Sequence, residues 1–396
     1  MISVEEARNI VRFHSRTFGD VQVPFEDSVG RILSIDISAD RDFPPFNRAA
    51  MDGIVVRWDD FQQGCRKFNI IGEQWAGSPS VTLHEKDSCM EIMTGAVVPA
   101  GTSLVIRYED VSITKGVATV DDISPQEWTN IHRKGIDAQK GDVLIPFGKV
   151  LNIGDIGILA SVGQSLVTVK ALPKVAVIST GDELVDVNEQ PLPHQIRKSN
   201  SHTIGVLLSQ LGMTCQRFHF NDNEEEIRTG LAGIIENFDV ILMSGGVSKG
   251  KRDFVPEILE EQGVRKHFHR VAQRPGKPFW FGSNEQVTVF GFPGNPVSTL
   301  VCFQVYFREW LAACLGTDLP TMKAKLSQTV HFKPDLTYFV PVKLTFEGNE
   351  LMATPYQGHG SGDLSNLTNV DGFVELPADR EMFRNGEVFD FQRLTE

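Results

Sequence analysis

Apolar and polar positions change rhythm several times along the chain. Ser3-Val-Glu-Glu6 forms a capping box, and Val4, Ala7, Ile10 and Val11 follow on one helical face, with His14 beside it as a packing residue. Val21–Val23, Ile32–Ile37 and Ile54–Val56 read as short strands. Between Phe61 and Val143, short strands alternate with Gly-rich polar loops and no helical period appears, which predicts a mostly β module. Ile153–Val162 predicts a helix and Val167–Val169 a strand. From Lys174 the pattern becomes strand, turn, helix. Val175–Ile178, Cys215–Phe220 and Val240–Met243 are the strands. One helix, capped by Ser199 or Asn200, buries Ile204, Leu207, Leu208 and Leu211; another spans Glu224–Glu236. This alternation predicts a doubly wound parallel sheet. Asn295 as cap and Pro296 as first residue open a helix to about Leu315. Strands then return at Ala324–Phe332, Tyr338–Phe346, Leu351–Thr354 and Gly372–Leu376, a small β domain.

The expected organisation is therefore multidomain α/β plus β. Residues 1–41 with 144–172 form an N-terminal linker or dimerisation domain, 42–143 an inserted mostly β domain, 173–317 the α/β domain and 318–396 the C-terminal β domain. A chain of 396 residues is too long for one core. The net charge of −13 argues against non-specific binding to nucleic acid or to an anionic membrane. No apolar run approaches transmembrane length and no signal peptide is visible. Five cysteines, none in a C-x-x-C pair, suggest reduced thiols in a cytoplasmic protein.

Chemistry concentrates in the turns of the α/β region. After Val240–Met243, Gly245 and Gly246 let backbone N–H groups approach an anion, and Lys249, Lys251, Arg252 and Asp253 follow. Gly245–Lys251 fits seven positions of a P-loop, but Arg252 stands where Ser or Thr should hold magnesium, which disfavours a nucleotide hydrolase. Four loops should converge at the carboxyl ends of the strands: Thr180–Glu183, Ser244–Asp253, Arg274–Lys277 and Pro293–Ser298. Basic groups with a helix N-terminus suit phosphate, and Asp182, Glu183 and Asp253 beside phosphate suit Mg²⁺. The expected ligand is phosphorylated or nucleotide-like, with magnesium. No nucleophile–His–acid triad is legible, and His267 and His269 read as structural or surface residues. Asp52, Thr94, Asp137 and the run Gly358–Asp363 lie in turns that are unremarked when taken singly.

Taken together, the motifs carry a resemblance. Val29-Gly-Arg-Ile-Leu33, Pro44 through Val56 with Ala50-Met-Asp-Gly53, Met93-Thr-Gly-Ala96, Ser179-Thr-Gly-Asp-Glu-Leu184, Ser244-Gly-Gly-Val-Ser248 with Asp253, Arg274-Pro-Gly-Lys277, Pro293-Gly-Asn-Pro-Val-Ser298 and Gly360-Ser-Gly362 occur in that order. With them the chain resembles the molybdopterin molybdotransferases of the MoeA type, and is similar to the C-terminal domain of gephyrin. The resemblance implies a central molybdopterin-binding domain, a C-terminal β-barrel-like domain and a homodimer with a shared active site. It implies a reaction in which adenylylated molybdopterin and molybdate react, with Mg²⁺, to give the molybdenum dithiolene and AMP. The adenylyltransferase and recipient molybdoenzymes are implied partners.

On that basis Asp52, Thr94 and Asp137 would come from one subunit, and Asp182, Glu183, Ser248, Asp253, Arg274 and Lys277 from the other. Lys277, Arg274 and the Gly245–Gly246 amides would hold phosphate and molybdate. Thr180, Gly181, Ser199, Asn200, Pro293, Asn295, Pro296 and Ser298 complete the expected substrate contacts. Asp52, Glu183 and Asp253 are the expected metal ligands. Asn47, Arg48, Ile54, Lys198 and Arg274 depart from the usual pattern, and Lys198 is the departure that would alter ligand contacts. The rival readings are a molybdopterin adenylyltransferase, similar in the sheet domain alone, and a non-catalytic molybdopterin-binding scaffold.

Overall fold

The computed structural model describes residues 1–246, 254–356 and 358–394. Ser248, Asp253 and the Lys249–Arg252 charges lie outside the described residues. The chain divides into two compact units, one of residues 22–29 and 33–168, the other of 1–21, 30–32 and 169–396.

The smaller unit is built on a six-stranded sheet in the order Leu104–Arg107, Gly53–Val56, Ser88–Ile92, Lys67–Gln74, Val117–Val120, Val111–Thr114. Period-2 alternation sends Val55, Met90, Ile92 and Val105 to one core, and Ile54, Val56, Cys89, Leu104 and Ile106 to another. Gly53 is required there, because a Cβ would run into the Ile106 carbonyl on the next strand. One short helix, Trp58–Gln62, interrupts the β pattern that the sequence predicts. Ile32–Ile37 is not a continuous strand; Ile37–Ser38 pairs with Val143–Ile145 instead. Helix Ile153–Ser161 has its own capping box from Asn152 and Asp155.

In the larger unit, strands run in the order Cys215–Phe220, Val175–Thr180, Val240–Ser244, Thr288–Phe292, Trp280–Ser283, Arg265–Phe268. The first four are parallel, and the last two extend the sheet antiparallel. The three central parallel strands are buried at every position. Val240, Leu242 and Phe290 face one core, and Ile241, Met243 and Val289 face the other, so helices can cover both sides. The N-terminal helix, Val4–Phe13, joins the first of these cores, which holds Phe279, Phe281, Phe290, Phe292, Tyr306, Phe307 and Trp310. Each such aromatic contributes about 1.5–3 kcal/mol of transfer energy. Exposed ion pairs such as Arg228–Glu224 are worth about 0–1 kcal/mol. Burial of these side chains therefore outweighs such surface pairs in this unit.

The C-terminal strands close on themselves. Thr337–Glu347, Glu350–Pro355, Met322–Leu326, Val388–Arg393 and Gly372–Leu376 pair in turn, and the last returns to Thr337–Glu347. Closure removes the sheet edges and gives the barrel-like domain expected from sequence. Gln273–Arg274 adds to it in parallel, beside Thr337–Tyr338.

Candidate functional site

Three of the four loops expected to converge do so. Strands Val175–Thr180, Val240–Ser244 and Thr288–Phe292 are neighbours, so their carboxyl ends place Thr180–Glu183, Ser244–Gly246 and Pro293–Ser298 side by side. They open a cleft of about 450 Å³ lined by Thr180, Glu183, Ser199, Asn200, Gly245, Asn295 and Pro296. Asn200 ties the loops together, donating from Nδ2 to Ser244 Oγ at 2.6 Å and to the Gly294 carbonyl at 2.8 Å. Gly245 and Gly246 have φ of +93° and +69°, and a Cβ on either would press on Thr180. Thr180 Oγ1 is buried beneath them with no hydrogen-bond partner among the described residues.

Several expected contacts are already used inside the protein. The Gly245 N–H reaches the Phe292 carbonyl at 3.4 Å. At the start of helix Pro296–Cys302, the Val297 N–H donates to the Ser361 carbonyl, and Asn295 Nδ2 donates to Ser361 Oγ at 2.8 Å rather than capping. The C-terminal loop thus takes part of the helix end that the sequence assigns to an anion. Asp182 Oδ1 accepts the Asp222 N–H at 3.0 Å, which ties its loop to the one after strand Cys215–Phe220. The Pro293 carbonyl accepts from Thr299 Oγ1, and Ser298 is buried; neither residue lines the cleft, nor do Gly181 and Gly246. Lys198 lines it, its ammonium 3.1 Å from Asp186.

The fourth loop goes elsewhere. Arg274 is held by pairing with the barrel, and it lines a second cleft, of about 440 Å³, with Tyr338, Tyr356, Ser361 and Asn366. Its guanidinium lies 5.8 Å from the Phe332 ring and 5.9 Å from Tyr338. Lys277, exposed at the end of the same turn, lines neither cleft. The loop from Gly358 to Asn366 borders both clefts, since Gly362 lines each. Asp363 organises it by accepting from Ser365 Oγ, the His359 N–H and Nδ1, and Asn366 Nδ2. These bonds hold its carboxyl well below the usual carboxylate range. The Gly-rich run was the sequence signal for this loop. Tyr338 and Tyr356 gave none, being strand-region residues in an ordinary pattern.

Asp52, Thr94 and Asp137 belong to the smaller unit. Asp52 Oδ1 accepts the Thr94 N–H at 2.6 Å and Oγ1–H at 2.7 Å, which lowers the Asp52 pKa. Asp137 lies 3.5 Å from His132 Nε2 instead. Among the described residues, no three His, Cys, Asp or Glu side chains gather into a metal cluster. Mg²⁺ does not demand one, because it binds one or two carboxylates and completes its shell with phosphate and water. Glu183 lines the strand-end cleft with Thr180 and Ser199.

Known families cover nearly the whole chain. The MoeA N-terminal region (domain I and II) matches residues 2–163, a probable molybdopterin binding domain matches 176–313, and the MoeA C-terminal region (domain IV) matches 323–394. The chain belongs to the MoeA family. It is similar to the molybdopterin molybdenumtransferase of Synechocystis, 38% identical over 398 residues and 99% of each chain. The enzyme of that name from Haemophilus influenzae is 37% identical over 74% of this chain and 72% of its own. The crystal structure of a molybdopterin biosynthesis MoeA protein from Pyrococcus horikosii superposes with a TM-score of 0.85 at 30% identity, covering both chains completely.

Proposed function

We propose that this protein takes adenylylated molybdopterin and molybdate, cleaves the pyrophosphate link, inserts molybdenum at the dithiolene and releases AMP. The observation that carries this reading is the pair of clefts sharing the 358–366 loop, one at the strand ends and one holding Arg274. The reaction must bring two anions together, and two adjoining clefts suit that need. In this reading the strand-end cleft holds the phosphate ester, with the unpartnered Thr180 hydroxyl and Lys198 as donors. Arg274, with Lys277 nearby, holds molybdate as a fixed cation. Glu183 would hold Mg²⁺, with Asp52 and Asp253 as the further metal ligands proposed. The ion would offset negative charge as the pyrophosphate link breaks.

Asp52, Thr94 and Asp137 of a second copy complete the site, so the working form is a homodimer. Exposed apolar residues on the smaller unit support a partner face. Phe147 is 60% and Ile153 82% exposed, and Ile35, Val143 and Val150 are exposed with them. Matches to both the N-terminal and C-terminal MoeA regions favour the transferase over an adenylyltransferase.

The test is AMP release from adenylylated molybdopterin by the purified protein with Mg²⁺, with and without molybdate. Molybdate-dependent release with mature cofactor is the expected result. Binding without turnover would replace this reading with a scaffold. Adenylylation of free molybdopterin would replace it with the adenylyltransferase.

A further inference from the structure

The turn that carries Arg274 rests on buried polar side chains. Gln273 is 1% exposed, so its amide must find partners inside the protein. Its Nε2 donates to the Pro275 carbonyl at 2.9 Å and lies 3.7 Å from Cys302 Sγ, while its Oε1 accepts the hydroxyl of Tyr306. The amide orientation follows from chemistry. The Pro275 carbonyl can only accept, which turns Nε2 toward it and leaves Oε1 for Tyr306. Gly276, at φ +90°, closes on the same group; a Cβ there would stand 2.6 Å from Gln273 Nε2 and 2.7 Å from Cys302 Sγ.

Tyr306 arrives through a local irregularity of the helix. Pro296–Cys302 and Arg308–Leu315 are α-helical, but Phe303–Phe307 between them is a π-turn with all five residues buried. Such turns shift the helical face by the width of one residue, and they recur at functional sites. Burial raises the Tyr306 pKa well above the ordinary phenol value, so its hydroxyl remains a donor. Burial also pushes the Cys302 thiol up, which leaves it as packing.

A core that needed only packing would be served by apolar side chains. An amide and a phenol are tolerated there only when both are bonded. Here those bonds end on the backbone of the turn bearing Arg274. We propose that Gln273 and Tyr306 are positioning residues that fix this turn so that Arg274 meets the oxyanion in one geometry. The proposal rests on the reading that Arg274 holds molybdate.

The experiment is steady-state AMP release by the full-length protein as a function of molybdate. Tyr306→Phe leaves Gln273 Oε1 unpaired, and Gln273→Met keeps the volume while removing both bonds. Each should raise the molybdate KM about tenfold, the scale of one lost buried hydrogen bond, with kcat at saturation little changed and the thermal midpoint lowered, because each leaves one buried polar group unpaired. Arg274→Ala should raise KM at least as far, and adding Tyr306→Phe to it should cost nothing more. An unchanged KM in Arg274→Ala would remove the underlying reading of the cleft. If Arg274→Ala raises KM while Tyr306→Phe and Gln273→Met do not, the positioning role is overturned. Full additivity with Arg274→Ala also overturns it. Should Tyr306→Phe fail to fold, Gln273→Met and Gln273→Glu carry the same comparison.

Discussion

Asp52 shows how much one exposed carboxylate can be prepared by its neighbour. Both Thr94 donors converge on Oδ1, while Oδ2 accepts no bond among the described residues. Hydrogen bonds to the charged form stabilise it, so the carboxyl stays ionised below the ordinary 3.8. Because Asp52 is exposed and its side chain bonds to Thr94 alone among the described residues, Asp52→Ala should lower the thermal midpoint only slightly. Molybdate-dependent AMP release should fall about a hundredfold, the usual effect of removing one placed polar group from a reacting site. Full activity in that variant rejects the role. Thr94→Val gives the complementary result. Without its hydroxyl donor the Asp52 pKa rises toward 3.8, so the acid limb of the pH–rate profile should move to higher pH. An unmoved limb would mean that Asp52 does not set it.

At the scale of elements, the N-terminal helix meets the sheet edge through two histidines. His14, the C-cap of helix Val4–Phe13, stacks on His267 of strand Arg265–Phe268 with ring centroids 3.6 Å apart. Phe13 and Phe281 flank the pair, Ser283 Oγ lies 2.8 Å from His267 Nε2, and Arg265 is the nearby cation. Burial, then the neighbouring His14 and Arg265, lower the His267 pKa to about 4, and burial lowers that of His14. The folded state therefore binds fewer protons than the unfolded state between about pH 6.5 and 4, and stability must fall as pH drops through that window. His267→Phe should flatten the dependence of the thermal midpoint there; an unchanged slope would place the acid sensitivity elsewhere. The helix, its capping box and the buried strands were legible because each depends on local spacing. The place of Arg274 was not, because it is set by pairing with Thr337–Tyr338, more than sixty residues away. The antiparallel direction of Trp280–Ser283 and Arg265–Phe268 was likewise hidden, since a strand pattern reads the same in either direction. Gln273 stood at the head of the Arg274–Lys277 loop and Tyr306 within a helix, and the π-turn lies where the two meet.

At the scale of the whole molecule, the proposed site is shared between two copies. In the smaller unit, Val143–Ile145 pairs with Ile37–Ser38, the Phe147 N–H donates to Asp36, and the Leu33 N–H donates to the Lys149 carbonyl. These bonds draw Ile35, Val143, Phe147 and Val150 into one region of that unit, and all four remain exposed. Isolated exposed apolar residues are ordinary, and a group of them is what the proposed dimer would bury. Ile153 permits a clean test because it is the first residue of helix Ile153–Ser161. An aspartate at a helix N-terminus is favourable to the helix, so Ile153→Asp should not unfold the subunit. It should nevertheless oppose burial of that face against a second copy. Sedimentation of the native protein should give a dimer, and Ile153→Asp with Phe147→Lys should shift it to monomer at unchanged helical content. If the site is shared, that monomer should also lose AMP release. Mixing Asp52→Ala with Glu183→Gln should then restore a fraction of it, because a mixed dimer contains one intact site. A native monomer with full activity, or a mixture that stays inactive, would remove the shared site from the mechanism.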